Sequence, residues 1–148
     1  GLKNIRGMIE ALSQNVLIQK KPFLGICVGM QLLATKSYEN GAHLGLGWID
    51  GEIKKISQKE LKLPHMGWNE VSIKTKENKL IKDEEEKNYY FVHSYFFECK
   101  SIKNEVASTN YGLDFTSIVS KENIYGVQFH PEKSSIQGLR LIRNFLNL

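Results

Sequence analysis

Cys27 lies in Phe23-Leu24-Gly25-Ile26-Cys27-Val28-Gly29-Met30-Gln31, an apolar run that follows Pro22 and carries a glycine on each side of the sulfur. The continuation, residues 30–35, favours helix. A strand that turns sharply into a helix, with a nucleophile on the turn, lifts that side chain above the strand end. Such a turn strains the nucleophile's backbone and brings strand and helix too close for side chains, so glycine is expected on both sides. The first N–H groups of the helix favour a thiolate, and the backbone N–H of Val28 is placed to donate into an oxyanion hole. A free cysteine in an apolar segment is also commonly a small buried hydrophobe. The stretch alone leaves both readings open.

A second group that could do chemistry is His130-Pro131-Glu132, at the end of an apolar segment, where α/β sheets present ligand-facing residues. Residues two apart in an extended segment point the same way. Glu132 can therefore hold one ring nitrogen of His130 while the other faces Cys27, making nucleophile, base and orienting carboxylate. Pro131 stiffens the link between them. The four histidines, His43, His65, His93 and His130, show no metal-ligand spacing, and no cofactor is expected. Cys99 follows Phe96-Phe97-Glu98 with no base beside it and reads as structural.

The elements that must position these groups can be read from hydrophobic periodicity. Residues 1–16 carry Leu2, Ile5, Met8, Ile9, Leu12 and Val16 at helical spacing. The strand 23–27 and the helix after it follow, then a glycine-rich link into 48–53, with Asp50-Gly51 as a hairpin turn. Residues 63–69 read as a loop holding Met66 and Trp68, and 70–74 as an alternating strand. Residues 89–97 are almost wholly β-forming, as in a central strand. Shorter strands are expected at 105–109, 115–119 and 124–129. Ser135 caps a last helix whose apolar face is Ile136, Leu139, Ile142, Phe145 and Leu146. This order predicts a single α/β domain over 1–148, in three layers around a mixed sheet with an antiparallel excursion. A helix leading into a buried strand normally belongs to a βαβ unit, so strands before residue 1 are expected to be missing and the domain to be incomplete at its N-terminus.

With 148 residues the chain is long enough to bury a core, and its charge of +4 is spread among acids. The densest charged run, 74–87, mixes five lysines with Glu77, Asp83, Glu84, Glu85 and Glu86 and reads as a solvated loop. Nothing interleaves basic and aromatic residues as a nucleic-acid face would. No signal peptide or bilayer-length apolar run is present in the sequence, and two unpaired cysteines suit a cytoplasm.

Gly25-Ile-Cys-Val-Gly-Met-Gln31 together with Phe129-His-Pro-Glu132 resembles the signature of the class I, triad-type glutamine amidotransferases. Leu63-Pro-His-Met-Gly-Trp-Asn69, Tyr90-Phe-Val-His-Ser-Tyr95 and His130-Pro-Glu-Lys-Ser134 are similar to the glutaminase subunits of imidazole glycerol phosphate synthases, of the histidine pathway. The resemblance implies a flavodoxin-like fold and a glutamine amidohydrolase. Cys27 would attack the side-chain amide of glutamine, His130 would pass a proton to departing ammonia, and Glu132 would hold the imidazole. Ammonia would go to a partner (β/α)₈ cyclase subunit, in a heterodimer, which makes imidazole glycerol phosphate and an aminoimidazole carboxamide ribotide. Gln31, Ser94 and Tyr95 match substrate-binding positions, Met66 and Trp68 the loop facing the barrel, and Lys133 an interface salt bridge. A Pro-Gly-Val-Gly type loop that supplies a second oxyanion donor in that family is absent from this sequence. Three alternatives stand beside this reading. They are a paralogue feeding another synthetase, for example in surface-sugar amination, a stand-alone cysteine hydrolase, and a silent binding module that only docks on a barrel.

Overall fold

The computed structural model describes residues 5–57, 61–75, 77–82 and 87–148. Leu2, at the start of the expected first helix, and Lys76 and 83–86 of the charged run lie outside the described residues. The first helix is displaced toward the C-terminus. It starts after Gly7, whose φ of +75° only glycine adopts freely, as α1 (Met8–Ser13), and tightens into a π-helical turn, Gln14–Ile18, that buries Val16.

β1 (Phe23–Ile26) then runs into α2 (Val28–Gln31). The expected helix over 30–35 ends at Gln31, because Leu33 and Ala34 donate to Met30 and Gln31, three residues back. Leu46 and Gly47 donate to the carbonyls of Leu32 and Ala34 that this tightening frees. Next come β2 (Lys36–Ser37), β3 (His43–Leu44) and β4 (Gly51–Lys55). Asp50-Gly51 is no hairpin turn: Gly51 opens β4, where a Cβ would stand 2.2 Å from the Phe97 ring.

The expected loop at 63–69 is a strand, β5 (His65–Glu70), and the strand predicted at 70–74 shrinks to β6 (Ser72–Ile73). The single strand expected at 89–97 is two, β7 (Asn88–His93) and β8 (Tyr95–Cys99), with Ser94 between them. Among the described residues β7 pairs only with β5, whereas β8 joins the large sheet. The chain closes with β9 (Glu105–Asn110), β10 (Asp114–Lys121), β11 (Ile124–Val127), a 3₁₀ turn (Pro131–Lys133) and α3 (Ser135–Leu146).

The large sheet has the order β1-β11-β10-β8-β4-β2-β3, with β9 and then β6 branching from β10. β1 and β11 are parallel, as are β2 and β4, and the other pairs are antiparallel. Register shifts after Thr116 and Ile118 bend β10, so that it serves both β8 and β9. Successive residues enter opposite cores. Ile118, Tyr125 and Phe96 pack on the α3 side, and Val119, Ile124 and Phe97 pack with Val16, Met30 and Leu33. Helices therefore cover both faces, which is the expected three-layer α/β arrangement.

α3 buries another face than the one expected. Gln137, Gly138 and Leu141 are buried, while Ile136, Leu139 and Leu146 are exposed. Gly138 is pressed against the 3₁₀ turn, and Gln137 and Asn144 donate to the carbonyls of Asn88 and Leu80. Ser134, not Ser135, holds the N-cap position.

The two glycines around Cys27 differ. A Cβ on Gly25 would lie 2.5 Å from the Gly29 oxygen and 2.8 Å from the Met30 nitrogen, whereas one on Gly29 would meet nothing within 4 Å. Crowding thus requires only the first. In urea denaturation, Gly25→Ala should cost about 1–3 kcal/mol through overpacking against backbone. Gly29→Ala should be neutral or stabilise by up to about 1 kcal/mol, as helix propensity alone dictates. Equal losses at both positions would contradict the close approach.

Candidate active site

The turn after β1 gives Cys27 φ 51° and ψ −109°, a combination an L-residue adopts at a cost of about 1–3 kcal/mol. The strain is held from both sides. The Cys27 N–H donates to the Val127 carbonyl (2.8 Å), and its carbonyl accepts from Gln31 (3.2 Å). Because β1 and β11 are parallel and in register to Ile26 and Val127, the turn carrying Cys27 and the segment carrying His130 leave the sheet at the same end.

His130 is fixed by three local contacts. Its N–H donates to the Tyr90 carbonyl (2.9 Å), and its carbonyl accepts from the Ser134 hydroxyl (2.6 Å), which itself accepts the Tyr90 N–H (2.9 Å). The fully buried Ser134 thereby ties β7 to the turn. Nδ1 of His130 lies 2.7 Å from the half-exposed carboxylate of Glu132, as the spacing predicted. Nε2 is buried without a hydrogen-bond partner, so it makes no hydrogen bond to the sulfur it was expected to face.

The sulfur is engaged elsewhere. Sγ lies 3.9 Å from the Val92 carbonyl and 3.8 Å from Nε2 of Gln128. Burial pushes the thiol above its ordinary value and outweighs the Val28 N–H, which pulls it down; the Glu132 charge pushes it up, and the Gln128 amide pulls it down. The expected thiolate at the helix start is therefore a thiol at rest. A helix of four residues has too few aligned dipoles to overcome desolvation.

Around the sulfur is a cavity of about 280 Å³, lined in part by Cys27, Gln31, Glu39, His93, Ser94 and Tyr95. Gln31, Ser94 and Tyr95, the residues matched to substrate-binding positions, all line this cavity. The Gln31 amide is held by the Tyr95 carbonyl (2.9 Å) and Gln128 Oε1 (3.2 Å). Val28, Met66 and Trp68 are exposed; Met66 and Trp68, 60% and 54% accessible, share the outer face of β5. Lys133 is exposed on the 3₁₀ turn. Sequence reasoning missed Glu39, Gln128, His93 and Ser134. Gln128 had a readable signal, since it precedes His130 by two in an extended segment. Glu39 had none, being one acid in a polar loop. Among the described residues, no group of three or more His, Cys, Asp or Glu side chains could hold a metal ion.

The family model for class-I glutamine amidotransferases matches residues 2–148. The chain is 51% identical over 147 residues to an imidazole glycerol phosphate synthase subunit HisH from Leptospira borgpetersenii, covering 96% of this chain and 71% of that protein. It is 49% identical over 149 residues to the subunit of the same name from Rhodospirillum rubrum, covering 99% of this chain and 70% of that one. A solved glutamine amidotransferase from Thermotoga maritima superposes with a TM-score of 0.61 at 17% identity, over 96% of this chain and 55% of its own, and so bears on the fold alone.

A thiol raised by burial is mostly protonated at neutral pH, and the thiolate is the form that alkylates. In a Cys99→Ser background, Cys27 should react with iodoacetamide more slowly than free cysteine at pH 7, with a rate that climbs through pH 9 and beyond. A rate at pH 7 equal to that of free cysteine would contradict the buried resting thiol.

Proposed function

The chain belongs to the class I glutamine amidotransferase family, and from that premise we propose that it is the glutaminase subunit of an imidazole glycerol phosphate synthase. The observation that carries the reading is the strained Cys27 turn beside the His130–Glu132 pair, at the common end of two parallel strands.

Glutamine brings an ammonium, a carboxylate and a side-chain amide. The Glu39 carboxylate is the group in the cavity able to pair with the ammonium. With the amide carbon over Cys27, the thiol proton passes to His130 Nε2 and sulfur bonds to carbon. The negative oxygen of the tetrahedral intermediate is met by the Val28 N–H. His130, now cationic and held by Glu132, gives that proton to the amide nitrogen, and the C–N bond breaks to release ammonia. Water then attacks the γ-glutamyl thioester with His130 as base, giving glutamate and the thiol. A turn of the Cys27 side chain away from Val92, toward His130, is required first, and substrate or partner binding supplies it.

Ammonia would leave for a cyclase barrel, which would perform the lyase step, with Met66, Trp68 and Lys133 at the junction. The two aromatic and thioether side chains suit such an interface, being large, exposed and side by side. No described helix is long and apolar enough to cross a membrane, and the proposed setting is the cytoplasm.

Glutamate release from glutamine, with and without a purified cyclase barrel and its ribotide ligand, tests this reading. Cys27→Ser should lower the rate at least about a thousandfold. Glu39→Gln should raise KM for glutamine about 10- to 100-fold through the lost ion pair, with kcat changed far less. Trp68→Ala should weaken stimulation by the barrel. Cys27-dependent release indifferent to the barrel would point to another acceptor, and no release in either condition would sink the enzyme.

A further inference from the structure

β5 alternates in a way that joins its two faces. Met66 and Trp68 lie on the exposed face, and His65 and Asn69 lie on the other face, where His65 meets His93 of β7. His65 stands opposite His93, and their rings meet, His65 Nδ1 to His93 Nε2, at 2.9 Å. Two neutral imidazoles can form that bond only if one donates and the other accepts, and the far ends of the chain decide which.

The carbonyl of Tyr95 can only accept, so His93 Nδ1, 2.8 Å away, carries a proton and donates it. His93 Nε2 is then the acceptor, and His65 Nδ1 must be the donor. That leaves His65 Nε2 as an acceptor for the Asn69 amide nitrogen at 3.1 Å, which also donates to the Asn110 carbonyl at 2.9 Å. The Asn69 orientation is fixed independently, because its oxygen accepts the Glu70 N–H at 2.8 Å. Each bond fixes the next, and both rings come out neutral with the proton on Nδ1.

The surroundings favour the uncharged form. His65 and His93 are 3% and 6% accessible, and His65 stacks between Phe91 and Tyr111. Burial lowers both rings to about 4. On the cavity side the row continues, since Tyr95 O also accepts from Gln31, Gln31 donates to Gln128, and the Gln128 amide faces Sγ.

We propose that His65 and His93 are positioning residues, a neutral pair locked in one tautomer that transmits the placement of β5 through the Tyr95 carbonyl, Gln31 and Gln128 to Cys27. The inference rests on the glutaminase reading above and deepens it: a partner seated on Met66 and Trp68 moves the strand whose inner face holds the row.

Two measurements test it on the whole protein. Nitrogen-15 NMR of labelled histidine at pH 7, assigned with His65→Phe and His93→Phe, should show both rings neutral and protonated at Nδ1. A charged ring, or a proton on Nε2 of either, overturns the proposal. Asn69→Ala removes the outermost donor and leaves both rings in place. With the barrel present it should lower kcat for glutamate release about fivefold, the worth of one neutral hydrogen bond, with KM for glutamine unchanged within about twofold. His65 in that variant should become a mixture of tautomers. Wild-type kinetics in Asn69→Ala overturn this inference alone, whereas a wild-type protein without Cys27-dependent release overturns the glutaminase reading and this inference with it.

Discussion

Parallel strands leave their C-terminal ends at one level, and β1 and β11 are in register as far as Ile26 and Val127. Cys27 is hydrogen-bonded to the last residue of the neighbouring strand, and His130 follows that residue by three. A one-residue slip of this pair would turn every β1 side chain to the other face and carry the cysteine away from the histidine's side. The close contact of Gly25 with the α2 backbone opposes such a slip, as do Met30 and Leu33, fully buried against the sheet. Each of those side chains contributes about 1.5–3 kcal/mol by burial. That is as much as the strained cysteine costs, so the turn persists without help from a ligand.

The site at rest is assembled but not joined. His130 has the Glu132 carboxylate, Cys27 has the Gln128 amide, and the sulfur rests against the Val92 carbonyl. Desolvation dominates the thiol's acidity, so a reactive thiolate awaits either a proton acceptor at contact distance or a change in what surrounds the sulfur. Such an arrangement suits an enzyme whose product is a small, diffusible base, since hydrolysis in the absence of an acceptor would waste glutamine.

Local chemistry was legible in the sequence, and placement that depends on pairing was not. Cys27 between glycines and His130 two residues before Glu132 could be read because the relevant distances lie within one turn of chain. His65 was hidden because Leu63-Pro-His-Met-Gly-Trp-Asn69 has the composition of a loop; only its pairing with β7 makes it a strand and sets His65 against His93. Residues 89–97 read as one strand because composition does not record that Ser94 divides two sheets. α3 misled in another way. It is apolar on more than one face, and its buried stripe is chosen by a glycine that lets it approach Pro131 and by two amides that satisfy loop carbonyls. Glu39 carried no local signal, since a single acid acquires meaning only from the cavity it enters.

The row from Asn69 to Tyr95 has a polarity with its own consequence. All its donors point toward the Tyr95 carbonyl, and Gln31 donates to the same oxygen. A carbonyl on which donors converge has no proton to hand on, so the row is an insulator that conducts no charge between the outer face and the sulfur. What it can carry is displacement. The outer face of β5 can therefore act on the cavity by geometry without opening a leak through which solvent protons would reach the ammonia being made.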